Sequence, residues 1–113
     1  MKKIILILSI LFSAAATMAQ EEIVTKKLRV EGNCSSCKKR IEQAAFVRGV
    51  KRAEWDKHTD TLTVTYNSSK TNEDLILQNI ANAGHSSPKF EAPVKSYNKL
   101  PQCCKYKHED CKD

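Results

Sequence analysis

The sequence lacks the residue groupings on which most enzymes depend. Its 113 residues contain no recognisable Ser-His-Asp set, no pair of catalytic carboxylates and no glycine-rich phosphate loop. Cysteine is also absent from the whole stretch between Cys37 and Cys103, although the chain has five cysteines. The cysteines therefore form two local groups and not a network of disulfides across the chain. These absences argue against an enzyme.

Long apolar runs are also missing, except for one at the N-terminus. The run Ile4 to Phe12 follows two lysines and precedes small residues that end at Ala19. It is shorter than the about 20 apolar residues that a spanning helix needs, and its layout is that of a cleavable signal peptide. We therefore predict a signal peptide over residues 1–19 and a mature chain that begins at Gln20. The protein would be periplasmic or secreted, without stable membrane insertion after cleavage.

The net charge of +6 does not single out a partner. The basic residues are scattered along the chain, and an exported protein rarely meets nucleic acid. We interpret them as solvated surface charges and predict no nucleic-acid partner.

The hydrophobic pattern predicts the element order β-α-β-β-α-β. Strands are predicted over 23–30, 50–56, 61–66 and, weakly because of Pro88, 85–91; helices are predicted over 37–47 and from Thr71, as the cap, to Gly84. This order is typical of an α+β, ferredoxin-like sandwich. The antiparallel sheet would carry both helices on one face, since each strand has one apolar and one polar side.

The short segment "GNCSSC" carries the most chemistry. Its Cys34 and Cys37 have a spacing that serves disulfides, redox couples and metal sites alike. Cys37 enters the first predicted helix, where the helix dipole and the lysines and arginine that follow would lower the pKa of a thiol. Two thiolates suit a soft ion, Cu(I) above all, whereas Zn(II) normally takes four ligands.

Together with "KKRIEQAA", "TLTVTY" and the ending Ala83-Gly84, this segment resembles the heavy-metal-associated domain family over residues 22–91. The family includes copper chaperones, mercury-binding periplasmic proteins and modules of copper-pumping ATPases. The resemblance implies that Cys34 and Cys37 bind a heavy-metal ion, most simply Cu(I), with Hg(II) or Zn(II) as alternatives. It also implies a partner that donates or accepts metal, such as a copper-pumping ATPase or an efflux component.

Two positions depart from the family pattern. Gly32 stands where such domains usually have a methionine that packs under the loop, so we expect a less anchored loop. His85 follows the second helix, where the family often has an aromatic residue or a lysine. His85 is either a third ligand or hydrogen-bond donor at the metal, or a surface residue in a turn.

The C-terminal tail, residues 92–113, holds a second group of soft ligands: Cys103, Cys104, His108 and Cys111. Either Cys111 forms a disulfide with one of the other two cysteines, or these residues form a second metal site or close over the first. Adjacent cysteines rarely bond each other, so Cys103 and Cys104 should differ in role. Because the tail lies beyond the last predicted strand, we expect it to modulate metal retention without holding the fold.

The sequence thus predicts an exported metal-binding protein, not an enzyme, that transfers or scavenges a soft ion. One alternative is a periplasmic thiol–disulfide oxidoreductase, which Ser35-Ser36 and the lack of an aromatic residue before Cys34 disfavour. Another alternative is a mercury-binding transport component, which differs from the first prediction only in the metal ion that it carries.

Overall fold

The computed structural model describes residues 22–107. The predicted signal peptide and two predicted ligands of the tail, His108 and Cys111, lie outside this range.

Three strands form one antiparallel sheet: β1 (Ile23–Arg29), β2 (Val50–Asp56) and β3 (Thr61–Asn67). Their order is β1-β3-β2, so β3 lies in the centre. Along β3, Leu62, Val64 and Tyr66 are buried, whereas the threonines between them are partly exposed. The period-two alternation of side chains therefore gives the sheet one apolar face.

Two helices cover this face: α1 (Ser35–Ala45) and α2 (Glu73–Asn82). Their inward side chains share one buried cluster with those of the sheet, namely Ile41 and Ala45 with Ile76, Leu77 and Ile80. The predicted α+β, ferredoxin-like arrangement is confirmed. No helix between residues 22 and 107 combines the length and the apolar character that crossing a membrane requires.

The second helix begins one residue later than predicted. The cap is Asn72, whose side-chain oxygen accepts a hydrogen bond from the Leu75 backbone N–H at 2.9 Å. Thr71, the predicted cap, is buried. Leu75 is 51% exposed, whereas Leu77 is buried.

The fourth predicted strand is not formed, and the sheet within residues 22–107 has three strands. Residues 85–91 approach the end of β1 through one backbone bond, from the Glu31 N–H to the Ser86 carbonyl at 2.8 Å. The chain then turns, because the Ser87 N–H bonds the Phe90 carbonyl. Pro88, within this turn, has no N–H to contribute to a ladder.

The tail packs on the domain. It forms a short helix, α3 (Val94–Asn98), and a 3-10 helix (Gln102–Cys104). Tyr97, Leu100 and Cys104 are buried in the same cluster as the sheet and helices. We expected the tail to modulate metal retention without holding the fold, but its apolar side chains belong to the core cluster, so it should contribute to stability.

The contact between the tail and the end of α2 depends on a glycine. Gly84 has φ +109°, and a Cβ at this position would lie 2.9 Å from the side chain of Leu100. A residue without a side chain both ends the helix in this left-handed conformation and admits the tail.

Candidate metal site

Three thiols meet at one end of the domain. The Cys34 and Cys37 sulfurs are 3.5 Å apart, and the Cys34 and Cys104 sulfurs are 3.8 Å apart. All three sulfurs lie within 4.8 Å of one another. Each of these residues is at most 1% exposed. The structure therefore brings a tail cysteine to the Cys-x-x-Cys pair and buries all three thiols.

Local backbone geometry places the first two thiols. Cys34 has extended dihedrals and is the residue that caps α1, and its carbonyl accepts the first helical bond from the Lys38 N–H at 3.1 Å. The helix thus begins two residues before the predicted start at Cys37. Cys37 lies in the first turn on the inward side of the helix. Positions three apart lie on one face of a helix, so the two thiols face each other.

The third thiol is placed by the 3-10 helix. Pro101 precedes this helix, and its carbonyl accepts a bond from the Cys104 N–H at 2.8 Å. Because a 3-10 helix turns tightly, the side chains of the adjacent residues Cys103 and Cys104 point in different directions. Cys104 is fully buried at the site, whereas Cys103 is partly exposed. The two cysteines therefore differ in environment, whereas the predicted difference in role stays a prediction. None of the four cysteines within residues 22–107 forms a disulfide.

The loop before Cys34 rests on Trp55. This tryptophan is fully buried, and its indole N–H donates to the Val30 carbonyl at 2.9 Å. A Cβ at Gly32 would lie 2.9 Å from the Trp55 ring and 3.1 Å from the Ile41 side chain. Trp55 thus occupies the space beside Gly32, and the loop is anchored there without a methionine. The sequence pattern did not predict this support.

His85 is buried beside the site and not at the surface. Its Nδ1 lies 2.9 Å from the Glu31 carbonyl oxygen, which can only accept, so Nδ1 carries the proton. Burial, together with the positive charge of Arg40, lowers the pKa of His85 even though the Glu31 carbonyl opposes this, which favours the neutral ring. His85 is not in the group of ligand atoms that lie within 4.8 Å of one another. Ligation by His85 therefore stays a prediction.

The three thiols do not ionise equally. Burial disfavours the thiolate of Cys34, but the backbone of Cys37, the thiols of Cys37 and Cys103 and the backbone of Ser36 together hold its pKa below the usual range. Burial raises the pKa of Cys37, and the Cys34 thiol adds to this effect. Burial and the two other thiols raise the pKa of Cys104. Cys34 is therefore the thiol that ionises most readily, and binding of a cation would favour deprotonation of the other two.

Tyr106 connects the tail to the residues that follow α2, a contact that the sequence pattern did not predict. Its hydroxyl donates to the Gly84 carbonyl at 2.9 Å and accepts from the Ser86 N–H at 3.1 Å. Its ring stacks on His85, with centroids 5.7 Å apart. The sequence signal that could have indicated this contact is the aromatic residue two positions after the adjacent cysteines Cys103 and Cys104.

A fold of this topology with a Cys-x-x-Cys at the start of its first helix defines a class of small metal-binding domains. The family model for the heavy-metal-associated domain matches residues 27–86. The chain belongs to this family. The matched range includes Cys34 and Cys37 but ends before the tail.

Solved structures agree with this assignment. The CopZ metallochaperone is 27% identical, with 57% of this chain and 98% of that chain covered and a TM-score of 0.55. Oxidized MerP from Ralstonia metallidurans CH34 is 29% identical, with 58% and 94% covered and a TM-score of 0.55. A copper binding domain from HMA7, a P-type ATPase, is 25% identical, with 55% and 86% covered and a TM-score of 0.53. None of the curated proteins compared with the chain matches it significantly.

Proposed function

We propose that this protein is an exported, non-catalytic carrier or scavenger of a soft metal ion, with Cu(I) as its cargo. The observation that carries the proposal is the pair of buried thiols at Cys34 and Cys37, whose sulfurs are 3.5 Å apart and which lie within the range that the family model matches. Soft thiolates favour Cu(I) among the common cellular metals.

The donor set supports Cu(I) over Zn(II). Among the described residues the site offers only sulfur ligands, and fewer than the four that structural zinc sites normally have. The similarity to a copper binding domain of a P-type ATPase points the same way. Hg(II), which is also thiophilic, is the alternative cargo.

The partner we propose is a protein that exchanges metal through its own thiols, such as a copper-pumping ATPase or an efflux component. Similar folds occur in a metallochaperone and in a P-type ATPase domain, so donor and acceptor can present like sites to each other. Ligand exchange between such sites would move the ion without releasing it to water. Nucleic acid has no place in this proposal.

Reduced protein should bind one Cu(I) per chain and should not turn over a test disulfide. Cu(I) titration under anaerobic conditions, with a chromophoric chelator as competitor, measures the stoichiometry. An insulin-reduction assay with the same preparation measures the oxidoreductase activity. Catalytic disulfide exchange without stoichiometric Cu(I) binding would favour the alternative function of a thiol–disulfide oxidoreductase.

Export is the remaining part of the proposal. We expect the protein isolated from the cell envelope or the medium to begin at Gln20, because small residues end at Ala19 where a signal peptidase cleaves. Intact-mass spectrometry checks this. A mass that still includes residues 1–19 would contradict a cleaved signal peptide.

A further inference from the structure

We infer that Cys104 is the third ligand of the cargo ion, supplied by a tail outside the family domain, and that this tail covers the ion until a partner's thiol displaces Cys104. The inference rests on the proposed function. It adds an internal ligand and a means of retention to a site that would otherwise have two thiols. Cys104 lies beyond residues 27–86, the range that the family model matches.

The distances between the sulfurs favour three-fold over two-fold coordination. With metal–sulfur bonds of about 2.3 Å, two thiolates on opposite sides of an ion lie about 4.6 Å apart, and three around it in a plane lie about 4 Å apart. The Cys34 sulfur is 3.5 Å from that of Cys37 and 3.8 Å from that of Cys104. Both distances are nearer the planar three-sulfur value, so small shifts would accommodate an ion among the three.

Burial of the three thiols also restricts access to an ion bound between them. Cys34 is 1% exposed, and Cys37 and Cys104 are 0% exposed. A partner's thiol therefore cannot reach an ion between them while the tail is in place. When the tail moves, the incoming thiol can bind the ion and give up its proton, and the departing Cys104 sulfur takes up a proton. The ion keeps its charge and its number of ligands throughout.

Tyr97 and Leu100 are buried in the core, but the contacts that hold the end of the tail, at Tyr106 and Lys107, are few and partly exposed. The Tyr106 hydroxyl bonds Gly84 and Ser86, and the Tyr106 ring packs edge-on against Tyr97 with centroids 5.1 Å apart. The Lys107 N–H donates to the Tyr97 hydroxyl at 3.2 Å. A small set of side-chain contacts can open locally without unfolding of the sheet and helices. The tail therefore slows loss of the ion without making its transfer impossible.

The test compares Cys104→Ser with the matched neighbour variant Cys103→Ser, each loaded with Cu(I) under reducing conditions. X-ray absorption at the copper edge counts the sulfur ligands, and a chelator in excess measures the rate of Cu(I) release. We expect three sulfurs in the parent protein and in Cys103→Ser, but two in Cys104→Ser. Release from Cys104→Ser should be at least about tenfold faster, the lower end of what supporting residues contribute at metal sites.

The outcomes separate this inference from the proposed function. A parent protein that binds Cu(I) through two sulfurs, with Cys104→Ser unchanged, would overturn the inference and leave the proposed function intact. A parent protein that binds no Cu(I) would overturn both. If the third sulfur were lost in Cys103→Ser but not in Cys104→Ser, the third ligand would be Cys103, and the inference would also be overturned. Circular dichroism of the metal-free variants, with Cys104→Ala as a second replacement, checks that each one folds.

Discussion

Replacing both Cys34 and Cys37 by serine will lower the Cu(I) affinity by more than about 100-fold, since even residues that only support metal ligands contribute about 10- to 100-fold. The double variant leaves one thiol, Cys104, in the buried group. A hydroxyl is a harder and much less acidic ligand than a thiol, so serine cannot replace the lost bonds to a soft ion. Competition against a chromophoric Cu(I) chelator measures the change.

The single variants should show smaller losses, because each keeps two of the three thiols. Ser36→Ala is a suitable control, since it changes the same loop and removes no sulfur. Each cysteine variant should fold, because most of the core lies in the sheet and helices away from the loop. If the double variant held Cu(I) as tightly as the parent protein, the primary site would lie elsewhere, most simply among the remaining tail cysteines.

Removing residues 95–113 should destabilise the metal-free protein by about 3 kcal/mol or more, given about 1.5–3 kcal/mol for each large apolar side chain that loses its burial. The deletion removes Tyr97 and Leu100, which are 8% and 4% exposed, together with the fully buried Cys104. For a domain of this size each kcal/mol corresponds to roughly 4–8 °C in melting temperature. We therefore expect a fall of more than about 10 °C in a thermal melt followed by circular dichroism.

The shorter deletion of residues 108–113 is the matched control. It removes two of the predicted ligands, His108 and Cys111, but keeps every tail residue that the described range, 22–107, places in the core cluster. Its melting temperature should stay close to that of the full chain. An unchanged melting temperature after the long deletion would show that the tail, though buried against the domain, contributes nothing net to its stability.

Local patterns were sufficient to predict the parts of the fold that depend on periodicity. The alternation of Leu62, Val64 and Tyr66 predicts β3 and its apolar face, which the structure shows as buried. The fourth strand was predicted only weakly, because Pro88 lies within it. In the structure these residues form the turn between Ser87 and Phe90 and do not pair with β1 as a strand. Competition of this kind depends on which backbone partners the rest of the fold offers, and no local pattern contains that information.

The sequence by itself determined the sheet, the two helices that cover it and the pairing of Cys34 with Cys37, because each depends on residues a few positions apart. Only the tertiary structure decided that Cys104, 70 positions after Cys34, belongs to the same group of thiols. That contact depends on the packing of Leu100 beside Gly84 and on the hydrogen bonds of Tyr106. Burial of apolar side chains selects such long-range contacts by shape and by the space available, and neither is encoded in residue spacing.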